Sequence, residues 1–100
     1  MAYNASGLTP IGGQSKRGRA PQIFAYRTTD SAATVDSANY FASAINSLEI
    51  GDVILRTTVD SITAPTSVTS VGFHVVRAKS LTAGTIDVAD ATAINVSNTD

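Results

Sequence analysis

The bulky apolar residues divide the chain into two unequal parts. Residues 1–21, MAYNASGLTPIGGQSKRGRAP, hold four of the seven glycines, two of the three prolines and few large apolar side chains. From Ile23 onward 24 Val, Ile, Leu, Phe and Tyr residues are spread over 78 positions, enough for a modest core. The pattern predicts two units, a flexible basic arm over 1–21 and a compact β-rich domain over 22–100. The arm by itself cannot bury enough surface to offset roughly 1–2 kcal/mol of backbone entropy per residue.

Within the domain the periodicity assigns elements in turn. Gln22 to Thr28 clusters aromatic and β-branched residues after Pro21, which biases the chain away from helix, and reads as a strand. Phe41, Ile45 and Leu48 fall at i, i+4 and i+7, with Ala44 widening the stripe. That spacing predicts a helix of about three turns, N-capped by Asp36 or Ser37 and stopped by Gly51, with its apolar face in the core. Asp52 to Asp60 alternates, placing Val53, Leu55, Thr57 and Val59 on one face and Arg56, Thr58 and Asp60 on the other. Residues 61–70 contain Pro65 among Ser and Thr and read as an exposed loop or weak edge. Val71 to Lys79 is a further strand, and the alternating units 85–89 and 93–96 read as a final hairpin. Short connections imply antiparallel neighbours. The expected fold is mostly β: a small antiparallel β-barrel or sandwich of about five strands, with one short helix and an extended N-terminal arm.

Size and composition narrow the function. A chain of 100 residues buries only about 60–65% of its unfolded surface, which argues against a large internal active-site cavity. Without cysteine there is no disulfide framework and no thiolate metal site, which leaves oligomerisation as the device that supports a small core. The sequence contains neither a charged segment leading into an apolar run at its start nor 18 consecutive apolar residues, so a soluble protein made in the cytoplasm is expected. Net charge is only −1, yet Lys16, Arg17, Arg19 and Arg27 precede every acidic residue. The arm is therefore suited to an acidic surface on a neighbouring copy, another protein or a nucleic acid.

Candidate chemistry is sparse. His74 is the single histidine, lies in a strand pattern and has no Ser/Asp or HxxxH arrangement around it, so it reads as structural. Asp52, Asp60, Asp87 and Asp90 lack EF-hand spacing and read as strand and turn acids. The glycines of the arm do not form GxxxxGK[ST] and neither follow a strand nor open a helix, which argues against nucleotide hydrolysis. No catalytic residue, metal or cofactor is expected. The residues assigned to partner binding are Tyr3, Leu8 and Ile11, as spaced apolar anchors, and Lys16, Arg17 and Arg19, as partners for carboxylates.

The stretch Pro21 to Asp30 (PQIFAYRTTD), Tyr40-Phe41, Leu48 to Ile54 (LEIGDVI) and the ending from Gly84 (GTIDV) to Asp100 together resemble small virion proteins of tailed bacteriophages. Those are the capsid decoration (cement) and head-associated proteins encoded beside the major capsid protein. The resemblance implies a homo-oligomer, with a trimer favoured, bound to the outside of the head and clamping neighbouring major capsid subunits. Two alternatives stay open: a head fibre or tail component whose loop 61–70 faces a host receptor, and a nucleic-acid-binding accessory protein using the basic arm. A protein-facing arm is favoured over the nucleic-acid one, because three clustered charges bind phosphate weakly and no aromatic platform flanks them. No membrane partner is expected.

Overall fold

The strands from Ile23 onward build one sheet, and the segment between its first two long strands covers one of its faces. The computed structural model describes Tyr3, residues 7–11 and residues 21–96. Among the described residues six strands are present, β1 (Leu8–Pro10), β2 (Ile23–Thr28), β3 (Val53–Val59), β4 (Val68–Ser80), β5 (Thr85–Val88) and β6 (Thr92–Ile94), with a short helix α1 (Ala32–Val35) and a 3-10 turn (Ala42–Ala44) between β2 and β3. The strand order is β1-β2-β3-β4-β5, and β6 also pairs with β4. The two ends of this path do not meet, so the sheet is open. The mostly β expectation holds, whereas barrel closure does not.

One pairing departs from the antiparallel expectation. β2 and β3 are parallel, in register from Ile23↔Val53 to Thr28↔Thr58. Parallel neighbours require a crossover connection, and residues 29–52 supply it, laying Val35, Phe41, Ala44 and Leu48 against Phe24, Tyr26 and Ile54 of the sheet.

The crossover is not the predicted helix over 37–48. Ser31, not Asp36, caps α1 at its N-terminus, its hydroxyl accepting from the Thr34 amide, and Asp36 is the C-cap. Asn39 then takes a left-handed φ of 65° and pairs with β5. Its amide donates to the Ile86 carbonyl at 2.9 Å, and its side-chain oxygen accepts from the Ile86 amide at 3.1 Å. Asn and Ser are weak helix formers because their side chains compete for backbone bonds, and here the edge of β5 offers a better partner than the next helical turn. The apolar stripe still does its work. Phe41, Ala44 and Leu48 are buried, and Ile45 packs against the same cluster.

The final hairpin is also different. β5 and β6 do not pair with each other but lie end to end along β4, from Ser80↔Thr85 to Val71↔Ile94. The Ala89 amide donates to the Val75 carbonyl at 2.8 Å, so the two short runs act as one interrupted strand with β4 as its partner. β4 is correspondingly long and starts at Val68, inside the predicted loop, leaving 61–67 as the loop proper.

Part of the expected arm is tied to the domain. β1 pairs antiparallel with β2, Leu8 opposite Tyr26, and the Ile11 amide donates to the Ile23 carbonyl at 2.9 Å. Gly7 permits this approach, since a Cβ there would lie 2.5 Å from the Arg27 carbonyl oxygen. The Tyr3 ring stacks on Tyr26 at 5.7 Å and meets Phe41 edge-on at 5.4 Å.

Candidate interaction surface

Registers and burial sort the sheet residues into two faces. Phe24, Ile54 and His74 lie side by side on the covered face, next to the row of Tyr26, Arg56 and Gly72. The more apolar side of β3, with Val53 and Leu55, therefore points outward, while Arg56 points into the core and is 1% exposed.

A buried guanidinium is tolerated only when its donors are met. Nε of Arg56 donates to Nε2 of His74 at 3.0 Å, and Nη1 donates to Ser70 Oγ at 2.9 Å and to Thr58 Oγ1. Gly72 makes room on the next strand, where a Cβ would lie 3.1 Å from Nη2. Because Nε2 of His74 accepts, its proton sits on Nδ1 and is donated to the Ala89 carbonyl at 3.0 Å. Burial holds the His74 pKa below its ordinary value and the Arg56 charge adds to this, against the opposing hydrogen bond to Ala89 and the carboxylates of Asp36 and Asp90. His74 is thus a neutral, fully buried acceptor for Arg56, with no access to a substrate.

The network continues through Thr58, whose hydroxyl donates to the Asp30 carbonyl at 2.7 Å. Tyr40 donates its hydroxyl to Asp30 Oδ2 at 2.5 Å and shares a 2.8 Å bond with the Tyr26 hydroxyl. Burial, then the bonds to Asp30 and Tyr26, raise the Tyr40 pKa far above the ordinary tyrosine value. These polar groups lock the crossover onto the sheet.

The remaining candidate acids have structural duties. Asp52 is fully buried, its two oxygens accepting from the amides of Gln22 and Glu49 at 2.9 Å each, which fixes the entries to β2 and β3. Asp60 closes the 61–67 loop by accepting from the Thr66 amide at 3.0 Å and from the Thr66 hydroxyl, and these bonds draw its pKa down to about 2. Asp87 forms an exposed pair with Arg77 at 3.0 Å, beside a shallow hollow that Asp36 and Asp90 also line. Among the described residues, no three His, Asp or Glu side chains are grouped to hold a metal.

Of the residues assigned to partner binding, three lie among the described residues. Tyr3 and Leu8 pack against this chain's own core, whereas Ile11 is 52% exposed. Lys16, Arg17 and Arg19 lie outside the described residues.

The surface that sequence reasoning left unassigned is the outward face of the sheet. Ile23, Val53 and Val75 form one row across β2, β3 and β4. Ala25, Leu55 and Phe73 form the next, and Thr57 and Val71 the third, bounded by Arg27 on β2 and Ile94 on β6. Phe73, Val75, Ile94 and Ile23 are 37–44% exposed, and Val53, Leu55 and Val71 are half-buried. The signal lay in the odd-numbered positions of two strands, Val53/Leu55 and Val71/Phe73/Val75, which are as apolar as the even-numbered ones. A strand apolar on both sides is meant to be covered on both.

Known proteins offer no match: no family model, no curated protein and no solved structure matches the chain. The case for function rests on the geometry and on the sequence resemblance. The geometry comprises one sealed face, one bare apolar face, and polar side chains engaged in holding the fold.

Proposed function

We propose that this chain is a non-enzymatic structural protein of a virus particle, a decoration (cement) protein on the outer surface of a phage head that stabilises contacts between neighbouring major capsid subunits. The observation that carries the structural role is the bare apolar face of the sheet. Side chains such as Phe73 and Leu55 gain about 25 cal/mol for each Å² of apolar area removed from water, a gain realised only on association. An enzyme needs polar groups converging on an accessible cleft. Here the buried polar groups face one another across the core. The virion setting comes from the resemblance noted above.

This fold redistributes the expected binding roles. Tyr3 and Leu8 are committed to the core, so contact with the capsid falls to Ile11 and to the basic stretch Lys16, Arg17 and Arg19, which pair with acidic groups on the head. Co-sedimentation with undecorated heads tests the proposal. Saturable binding is expected, weakened at least tenfold by the triple substitution Lys16→Glu, Arg17→Glu, Arg19→Glu and by raised salt. Absence of binding to heads, with salt-sensitive binding to naked DNA instead, would replace the capsid reading with the nucleic-acid one.

A further inference from the structure

The bare face needs a specific cover, and the residues of this sequence outside the described ones are poorly suited to supply it. Residues 1, 2, 4–6, 12–20 and 97–100 contain Met1 as their one bulky apolar side chain, too little to shield three rows of a sheet.

We infer that the outward face is covered by the same face of a second copy, in a two-fold dimer whose axis runs along β3. Two sheets stack face to face at about 10 Å with their strands nearly aligned. A two-fold axis lying between them and parallel to β3 sets β3 over β3, β2 over β4 of the other copy, and each row over itself. Leu55 then meets Leu55, and Val53 meets Val53. The bulky Phe73 of each copy lies over the small Ala25 of the other, and Val75 over Ile23, so large faces small along the central row. The alternative axis, across the strands, would set Ile23 against Arg27 and Val53 against Thr57, which matches apolar with polar. Shape decides for the first arrangement, since in both arrangements Arg27, the one charged residue in these three rows, lies over an apolar side chain, Val71 in the first and Ile23 in the second.

Area agrees as well. Four strands at about 4.8 Å spacing and about six residues at roughly 3.3 Å rise give a face about 20 Å on a side. Stacking two such faces buries on the order of 1,000 Å² in total, at the lower limit for a specific interface. The dimer is therefore concentration-dependent, and it replaces the trimer implied by the family resemblance.

This inference rests on the assembly reading of the outward face but not on the capsid. Sedimentation equilibrium of the full chain from about 1 µM to about 1 mM, with circular dichroism to confirm folding, tests it. The expected result is a rise from the 10.3 kDa monomer to twice that mass. Ala25→Phe is expected to raise the dissociation constant at least tenfold by colliding with Phe73 of the other copy, and the double variant Ala25→Phe, Phe73→Ala to restore it. A folded wild type that stays at 10.3 kDa throughout, one that reaches a trimer mass, or an Ala25→Phe variant that dimerises as the wild type does would overturn the inference. Head binding is a separate readout, so a monomer that still binds heads overturns the dimer and leaves the capsid proposal standing.

Discussion

His74 and Arg56 make the core of this protein sensitive to acid. The folded state holds the His74 pKa below the ordinary 6.5, so below that value the unfolded chain binds more protons than the folded one. The contribution of His74 is therefore complete above pH 6.5 and is lost as pH falls through its depressed folded value. Asp36 acts oppositely in a lower range. Its pKa is raised above 3.8 by burial and by Asp90, so its contribution is present below 3.8 and lost as pH rises through the raised value. Urea denaturation at pH 8, 6.5 and 5 is expected to show little change in midpoint between pH 8 and 6.5 and a clear drop by pH 5. His74→Gln, which can still accept from Arg56 and donate to Ala89, is expected to flatten it. At the other end of the network, Tyr3→Ala removes a ring in contact with Tyr26, Tyr40 and Phe41. It is expected to cost about 2 kcal/mol in thermal or urea unfolding; a change near zero would mean that the N-terminal segment is not part of the fold.

At the scale of elements, two side chains decide where segments end. Asn39 supplies both the left-handed residue and the acceptor that turn the crossover onto β5. Asn39→Ala is expected to cost about 2 kcal/mol, since it adds the strain of a positive φ to an unmet Ile86 amide, and Asn39→Gly about half of that. Asp60 holds the 61–67 loop above pH 3.8 and releases it as pH falls through about 2. Asp60→Ala is expected to speed hydrogen exchange at the Thr66 and Ser67 amides at neutral pH, while the β3 amides stay protected. The elements that were legible in the sequence are those fixed by local alternation, β2, β3 and the centre of β4. The crossover was misread because Phe41, Ile45 and Leu48 have helical spacing, while the partner that captures Asn39 lies far along the chain at Ile86. The pairing of β5 and β6 with β4 was hidden for a similar reason: alternation identifies strands but does not name their neighbours.

For the whole molecule, the division of the sheet into a sealed and a bare face sets what the protein can do. Alternation in β3 separated its two sides correctly, but which side faces the core depends on the crossover, and the crossover settles over the side that carries Arg56. A lone arginine in an apolar strand suggests an exposed side. Here Gly72 on one neighbouring strand, His74, Ser70 and Thr58 reverse that expectation, and the apolar Leu55 and Phe73 are turned outward. The bare face was thus present in the sequence as residues and absent as a surface. Hydroxyl-radical footprinting of Phe73 and Leu55, in dilute protein and in the assembled state, addresses this division most directly, with Leu81 and Ile50, 63% and 62% exposed and outside the three rows, as references. Strong protection of Phe73 and Leu55 on assembly, with Leu81 and Ile50 still labelled, is expected. Equal labelling of Phe73 and Leu55 in both states would show that the protein works through some other surface.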